Sequence, residues 1–372
     1  MGYNRPIQDD DPWERPKIDL LTNFYNMYNP NVMRVPDNDY PYRMYFFGWA
    51  TEICNPGFAG CDAIYLARSP DLHTWEVWSG DSIWDDTMKP ERWIPVLAAD
   101  DKEYDNWHNG DPAVVLRDGT YYMAYSATSD FLPEDDDRPG HPHRLILCVM
   151  GATSDDGIHW ERTEVPLLLE SPEEMSGDTP ETWIGDFHRP SLLWEDGKWR
   201  LWFDYWHPTL GLGMGYAINT GDFKQPGGFE LQHDLRKPLL PNWPNPNVVR
   251  VDFMQEDGTK GVRYHSFSDP SGYGPAMGKP NAGWLSRNIC EAVSDDGVTW
   301  EVVGFIRPDN DGAANQIPEG FVVAQDGQSW LYVFYATQRG GLNEHGVFDY
   351  TYDRIRYMRR PVSIDPRNAI NE

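Results

Sequence analysis

Five polar residues occupy matching places in five similar segments of the 372-residue chain, each beside a proline or glycine that opens an apolar run. They are Asn29, Asp111, Arg189, Asn245 and Glu319. Two of these side chains are carboxylates, and two carboxylates in different surroundings can act as an acid and a base. Such a pair can cleave a glycosidic bond, since one group protonates the leaving oxygen while the other activates water or attacks carbon. The alternative interpretation is that the five residues are polar only because they belong to turns.

The segments that contain these residues share the pattern of a β-hairpin. It is clearest over residues 109–129, NGDPAVVLRDGTYYMAYSATS, in which two β-rich runs flank Asp118-Gly119. Asp-Gly between such runs is a strong hairpin signal. The same pattern recurs over residues 28–52, 187–208, 245–269 and 318–340. Each hairpin is followed by a further strand, a turn with Asp or Gly and often an outer strand headed by Trp.

This pattern predicts an all-β fold, a five-bladed β-propeller of four-stranded antiparallel blades. A unit of four short strands cannot bury both faces alone, and radial packing of five such sheets solves the problem. A β-sandwich would not explain five copies of one pattern. We therefore expect residues 1–372 to form a single propeller domain, with residues 1–27 as a leading segment. In a propeller, the residues before the innermost strands meet at one mouth of the central funnel.

The composition agrees with a fold of strands and turns. The chain has 17 Trp, 20 Tyr and 15 Phe together with 31 Pro and 33 Gly, which favour strands and turns over helices. A net charge of −28 argues against nucleic acid and anionic membranes as partners, because both require a basic surface. No apolar run reaches the roughly 18 residues of a membrane span. The N-terminus shows no signal segment, so we expect a cytoplasmic protein or an exported one whose signal has been removed.

Cysteines and motifs give no sign of a cofactor. Cys148 and Cys290 lie within apolar strand patterns and are expected to be buried thiols. Cys54 and Cys61 flank a short loop and either form a disulfide or stay reduced, and no cysteine has metal-ligand spacing. The sequence contains no P-loop, dinucleotide fingerprint, zinc motif or G-x-S-x-G elbow. We therefore predict neither a cofactor nor a catalytic metal, while a structural ion in the funnel stays an open alternative.

Several motifs resemble those of five-bladed glycoside hydrolases. GDPAVV, residues 110–115, is similar to the strand opening that carries the catalytic base in family 43, and EGFVV, residues 319–323, resembles the opening that carries the general acid there. The turns SPDLHTW, SDDGIHW and SDDGVTW are similar to those of the wider group that includes families 32, 62, 68 and 117. The resemblance implies Asp111 as general base and Glu319 as general acid. These residues belong to the second and fifth units, which are not neighbours in a ring, and the space between them favours inversion.

His188 and Arg189 of the third unit are further candidate site residues. Family 117 uses a histidine as its acid, so the resemblance makes His188 an alternative proton donor and would leave Glu319 to bind substrate. Arg189 suits a carboxylate-bearing or sulfated sugar, and it equally suits neutralisation of Asp111 and Glu319. Asp186 is the nearest match to the third carboxylate of family 43, which tunes the pKa of the acid.

The remaining candidates lie at strand ends near the same mouth and are predicted to bind substrate. They are Asn29, Asn245, Trp49, Trp107, His108 and Trp206. Indole rings can stack on the C–H faces of sugars, although many of the 17 Trp in such a fold serve only to pack blades. His108 also has a purely structural interpretation.

These observations predict a glycoside hydrolase, exo-acting and inverting, that cleaves an oligosaccharide or a plant or algal glycan. Fold alone does not determine function, so two alternatives remain. One is a propeller that binds carbohydrate or protein without catalysis, and the other is a glycosyltransferase or phosphorylase on the same scaffold. A phosphorylase needs several basic residues to hold phosphate, and Arg189 is the one good candidate. The sugar, the linkage and the oligomeric state are not predicted.

Overall fold

The architecture is almost entirely β. A computed structural model describes residues 12–24, 26–49, 62–100, 104–129, 146–169, 184–254, 259–270, 287–307, 314–325, 327–338 and 353–362. These residues form strands β1 to β22 in five antiparallel sheets, together with a short 3-10 helix at Pro90–Arg92. The described part of the chain contains no helix that is long and apolar enough to cross a membrane.

The five sheets are named blades 1 to 5 in chain order. Blade 1 contains β2 (Tyr28–Arg34), β3 (Tyr42–Trp49), β4 (Asp62–Ser69), β5 (Glu76–Trp78) and β6 (Trp84–Asp85). Blade 2 contains β7 (His108–Arg117), β8 (Thr120–Ser129), β9 (Ile146–Ser154), β10 (Glu161–Arg162) and β11 (Leu168–Leu169). Blade 3 contains β12 (Gly185–Glu195), β13 (Lys198–His207), β14 (Gly211–Asn219) and β15 (Glu230–Leu231). Blade 4 contains β16 (Asn247–Met254), β17 (Lys260–Ser268), β18 (Cys290–Ser294) and β19 (Glu301–Phe305). Blade 5 contains β20 (Ala314–Gln325), β21 (Gln328–Gln338), β22 (Asp353–Pro361) and β1 (Leu21–Phe24).

The innermost strands of the blades form a closed ring. β2, β7, β12, β16 and β20 contact one another in that order, and β20 in turn contacts β2. Sheets packed radially in this way form a β-propeller, so the predicted fold class is confirmed. Blades 1 and 2 differ from the prediction in that each has a fifth strand of two residues, β6 and β11.

The ring is closed by a strand from the other end of the chain. β1 pairs antiparallel with β22 and forms the outer edge of blade 5. Leu21–Phe24 therefore belong to a blade, and the prediction that they lie in a leading segment is wrong. Arg356 Nε lies 2.6 Å from Asp19 Oδ1, and a second ion pair joins Arg359 to Glu14 at 2.9 Å. Without β1, the edge of β22 would expose unpaired backbone groups.

Aromatic side chains fill the spaces between neighbouring blades. Five apolar clusters lie at the five blade interfaces. Between blades 3 and 4, for example, the buried ring of Trp202 lies 6.3 Å from that of Tyr264, centroid to centroid. Cys148 and Cys290 are buried thiols, as predicted. Cys54 and Cys61 lie outside the described residues.

The Ser-Asp turns with a terminal Trp join neighbouring blades. In the turn of blade 2, Ser154 Oγ accepts a hydrogen bond from Gly157 N at 2.8 Å, and the Gly157 carbonyl accepts one from Tyr45 Oη of blade 1 at 2.9 Å. The equivalent carbonyl of Gly297 in blade 4 accepts a bond from Trp202 Nε1 of blade 3 at 2.8 Å. Gly157 has a φ of 75°, and a Cβ there would lie 2.5 Å from Tyr45 Oη. Only glycine permits this contact between blades.

Candidate active site

One backbone feature recurs at the start of the innermost strand in every blade. A residue with positive φ stands directly before a proline, and φ lies between 46° and 52° at all five positions. The five residues are Asn29, Asp111, Arg189, Asn245 and Ile317. Non-glycine residues in this left-handed region are uncommon, so the repetition defines one equivalent position around the ring. In blades 1, 2, 3 and 5 the strand pairing is irregular at the same point.

Four of these residues are the predicted ones, but the fifth is not Glu319. The predicted alignment on Gly320 is wrong, because Pro318 is the residue equivalent to the other prolines and Ile317 occupies the position of Asp111. Glu319 therefore lies further along the innermost strand than Asp111 does in its own blade. The residues equivalent to Glu319 are Asn31, Ala113, Ser191 and Asn247.

The position of Glu319 serves to link neighbouring blades. In three blades the side chain there accepts a hydrogen bond from a backbone N–H of the next blade, at 2.7–3.0 Å. The pairs are Asn31 with Val114 N, Ser191 with Val248 N, and Asn247 with Gly320 N. Glu319 takes part through its Oε2, which accepts bonds from the side-chain amides of Asn31 and Asn247. It is only 4% exposed.

A second set of contacts fixes the positive-φ residues. In three blades their backbone N–H donates to a side chain at the end of the second strand of the preceding blade, at 2.7–3.0 Å. The pairs are Arg189 N with Ser126 Oγ, Asn245 N with Asp204 Oδ2, and Ile317 N with Asp269 Oδ2. Arg189 Nη1 lies 3.1 Å from Asp204, and Arg287 Nε donates to Asp269 at 2.7 Å. The buried carboxylate of Asp204, which has no sequence motif, was not predicted.

A pocket opens beside this ring where blades 1, 2 and 3 meet. Its volume is about 110 Å³. It is lined by Tyr28, Phe47, Asp62, His108, Gly110, Asp111, Ser126, Thr128, His188 and Arg189. The structure thus brings together four of the predicted site residues, namely Asp111, His188, Arg189 and His108. Among the described residues, no group of three or more His, Cys, Asp or Glu side chains is arranged to hold a metal ion.

The other predicted site residues do not line this pocket. They are Glu319, Asn29, Asn245, Asp186, Trp49, Trp107 and Trp206. Asn29 is buried and donates through Nδ2 to the carbonyl of Pro112 in the next blade at 3.2 Å. The side-chain amide of Asn245 donates to Asp269. The side chain of Asn29 therefore links blade 1 to blade 2, whereas that of Asn245 binds within blade 4.

Two of the predicted tryptophans contact the pocket wall from outside the pocket. Trp49 is the register partner of Asp62 across β3 and β4. The ring of Trp107 lies 4.2 Å from that of His108, centroid to centroid. Asp186 and Trp206 are half-buried on β12 and β13.

Asp62 is a pocket residue that sequence analysis missed. It begins β4, the third strand of blade 1, whereas the predicted acidic and basic residues all lie on innermost strands. Its backbone N–H donates to Nδ1 of His108 at 3.0 Å, so His108 carries its own proton on Nε2. Burial lowers the pKa of His108 to about 4, and the imidazole is neutral at pH 7. No motif marks Asp62, because its importance comes from neighbours that are distant in sequence.

The pKa of the buried Asp111 carboxyl group is raised above its ordinary value, and the surrounding groups act on it in both directions. Burial raises its pKa, while the positive charge of Arg189, a hydrogen bond with Ser126 and the charge of Arg287 lower it. Arg189 Nε lies 4.0 Å from Asp111 Oδ2. Two guanidinium groups thus offset part of the cost of burying this charge.

Three neighbouring carboxyl groups also have raised pKa values. Burial, helped by the negative charge of Asp111, raises the pKa of Asp62 to about 8, that of Glu319 to about 8 and that of Asp204 to about 6. The negative charge of Asp111 acts on all three groups, and because the pKa values of Asp62 and Glu319 lie near 8, these two carboxyl groups keep their protons at pH 7. An ionised carboxylate beside neutral carboxyl groups is the arrangement that acid–base catalysis requires.

No protein-family model matches the chain, and no curated protein matches it in sequence. Solved structures, however, are similar over most of its length. A family 117 glycoside hydrolase from the marine bacterium Zobellia galactanivorans has a TM-score of 0.55 and 13% identity, covering 97% of this chain and 94% of that one. A family 32 β-fructofuranosidase from Bombyx mori, solved with sucrose, has a TM-score of 0.53 and 11% identity, covering 91% of this chain and 61% of that one. The chain has the propeller fold of these glycoside hydrolases.

A third similar structure was solved as a complex with RGII. Its TM-score is 0.54 and its identity 16%, and the match covers 95% of this chain and 91% of that one. Because all three identities are low, the similarities establish the fold, and the activity depends on the chemistry of the site.

Proposed function

We propose that the chain is a glycoside hydrolase that works by acid–base catalysis at the pocket of Asp111. The observation that carries this proposal is the carboxylate of Asp111, which lies on the pocket wall among carboxyl groups that stay protonated at pH 7. Asp111 is the general base and takes a proton from the water that attacks the anomeric carbon. A neutral acid protonates the glycosidic oxygen as its bond to carbon breaks. The donors suggested by sequence are Glu319 and His188.

The reaction is proposed to invert the anomeric configuration. With Glu319 as the acid, the two carboxyl groups belong to blades 2 and 5, which are not neighbours in the ring, and inversion requires space between them for an attacking water. Proton NMR of the first product formed tests this. An initial product of opposite anomeric configuration to the substrate supports inversion, and one of the same configuration overturns it.

The pocket size supports action at a chain end. Its volume of about 110 Å³ is below the roughly 300–1,000 Å³ of sites that enclose drug-sized ligands, so it suits one terminal unit of a longer substrate. An oligosaccharide or a plant or algal glycan is the proposed substrate class, supported by the similar structure solved with sucrose. Stepwise release of single sugars from a labelled oligosaccharide supports exo action. Early release of larger fragments overturns it.

The contacts of Arg189 favour tuning of Asp111 over capture of a charged sugar. Its guanidinium faces two protein carboxylates, with Nη1 3.1 Å from Asp204 Oδ2 and Nε 4.0 Å from Asp111 Oδ2. These carboxylates already balance its charge. We therefore expect neutral substrates to be cleaved faster than matched uronic acid or sulfated substrates, and the reverse order would assign Arg189 to substrate recognition.

Sugar release from a panel of aryl glycosides and of plant and algal oligosaccharides tests the function itself. Turnover of any of them in phosphate-free buffer supports a hydrolase. Turnover that depends on added phosphate would show that the chain is a phosphorylase and not a hydrolase. Saturable glycan binding without turnover on the whole panel would leave a carbohydrate-binding propeller.

A further inference from the structure

Asp62 and Asp111 line the same pocket but lie on different strands of two neighbouring blades. Asp62 begins the third strand of blade 1, and Asp111 lies within the irregularity of the first strand of blade 2. Both residues line the pocket. The Asp62 side chain is 23% exposed, so a substrate in the pocket can contact its carboxyl group directly.

Glu319 is placed less well for direct contact with a substrate. It does not line the pocket, and it is only 4% exposed. Its Oε2 accepts hydrogen bonds from Asn31 and Asn247, and its equivalents in three other blades bind the next blade. Glu319 is therefore positioned as a member of the inner ring that holds the blades together.

We propose that Asp62 is the proton donor for the leaving group, acting together with Asp111. This proposal rests on the glycosidase function proposed above. The O–H bond of Asp62 breaks and its proton passes to the glycosidic oxygen, while the bond between that oxygen and the anomeric carbon breaks. The attacking water gives a proton to Asp111, and the oxygen of that water forms the new bond to the anomeric carbon. Exchange with solvent then returns a proton to Asp62 and removes one from Asp111.

The surroundings of Asp62 suit a group that begins neutral and ends charged. Burial and the charge of Asp111 raise its pKa to about 8, so it is protonated at pH 7. The polar N–H groups of the Trp49 and Asn26 side chains, together with the charge of Arg189, lower the pKa. These same contacts stabilise the carboxylate that remains after the proton has moved.

His108 is a further titratable group beside Asp62. Its Nδ1 accepts the Asp62 backbone N–H at 3.0 Å and lies 3.6 Å from Asp62 Oδ2. Because burial lowers the pKa of His108 to about 4, it adds no positive charge near pH 7. The ionisation of Asp62 in that range therefore depends on its burial and on the charges of Asp111 and Arg189.

Substrates with different leaving groups distinguish a proton donor from a carboxyl group that has only a structural role. A poor leaving group, such as a sugar alcohol, needs protonation, whereas 2,4-dinitrophenolate does not. We expect Asp62→Asn to lower kcat/KM by about 10²–10⁴-fold on an oligosaccharide and by less than about tenfold on the dinitrophenyl glycoside. The alkaline limb of the pH profile, near pH 8, should disappear. Asp86→Asn, at an exposed position of the same blade, is the control and should behave as the parent does.

Glu319→Gln and His188→Asn are made in parallel. If either of them loses oligosaccharide cleavage while sparing the dinitrophenyl glycoside, and Asp62→Asn matches its control, the donor is not Asp62 although the glycosidase function stands. If the parent cleaves no substrate, or Asp111→Asn stays fully active, the proposed glycosidase function is wrong, and the assignment of Asp62 is then wrong as well.

A second variant keeps the proposal testable if Asp62→Asn does not fold. Trp49→Phe removes the indole N–H, a polar group that lowers the pKa of Asp62. The alkaline limb of kcat/KM should therefore move to higher pH in this variant, while the acidic limb stays in place. An alkaline limb at the parent's pH would overturn the assignment of that limb to Asp62.

Discussion

The Nε atom of Arg189 lies 4.0 Å from Oδ2 of Asp111, and the two residues occupy the same left-handed position in neighbouring blades. One repeated backbone position thus supplies a carboxylate in blade 2 and its counter-charge in blade 3. The guanidinium is oriented by Asp204, whose Oδ2 lies 3.1 Å from Nη1. The ionisation of Asp111 consequently depends on residues of another blade.

Loss of Arg189 should change the pH dependence of activity. The charge of Arg189 lowers the pKa of Asp111, so Arg189→Met should raise that pKa. The base then ionises at higher pH, and the acidic limb of kcat/KM should move upwards. The measurement is a pH profile of the variant beside Arg236→Met, a change at an exposed arginine of the same blade. An acidic limb that stays at the parent's pH would show that Arg189 does not control the base.

Glu319 should make the protein less stable as the pH rises. Its pKa of about 8 in the fold exceeds the roughly 4.3 of an unfolded glutamate, so the folded state holds one more proton between these values. That stabilisation is complete below about pH 4.3 and is lost as pH rises towards 8, at about 1.4 kcal/mol per pH unit. Glu319→Gln should remove this slope from the free energy of unfolding.

Urea denaturation between pH 5 and 8 provides the measurement for Glu319. Glu230→Gln, at an exposed residue of blade 3, serves as the control and should keep the parent's slope. Equal slopes for parent and Glu319→Gln would mean that the buried carboxyl is ionised throughout this range.

The blades and most of the ring positions were predictable from sequence because they repeat. Asp111 and Arg189 stand before prolines that open similar strands, so their shared position follows from pattern alone. Glu319 was misaligned because an apolar residue, Ile317, takes the polar position in blade 5 and Pro318 was passed over in favour of Gly320. Asp62 could not be found in this way, since it lies outside the repeated position and acquires its role from contacts between blades.

The pairing of β1 was not predicted for the same reason, since it too depends on a contact that is distant in sequence. The partner of β1 lies at the opposite end of the chain, where no local pattern can indicate it. Leu21 is fully buried in the cluster between blades 5 and 1. Leu21→Ala should therefore lower the free energy of unfolding by about 2–5 kcal/mol.

Chemical denaturation measures this effect, with Ile18→Ala as its control. Ile18 precedes the same strand and is 42% exposed, so its truncation should cost little. If the two variants are equally stable, β1 does not contribute to blade 5 in solution.

The role of Asp111 as the general base is tested most directly by kcat/KM of Asp111→Asn on an oligosaccharide that the parent cleaves. Asp118→Asn is the matched control, because Asp118 is an exposed residue of the same blade whose positive φ asparagine tolerates. We expect a loss of at least about 10²-fold for Asp111→Asn, with an unchanged melting temperature and with a control that matches the parent. Activity of Asp111→Asn equal to that of the control, in a folded protein, would contradict this role of Asp111.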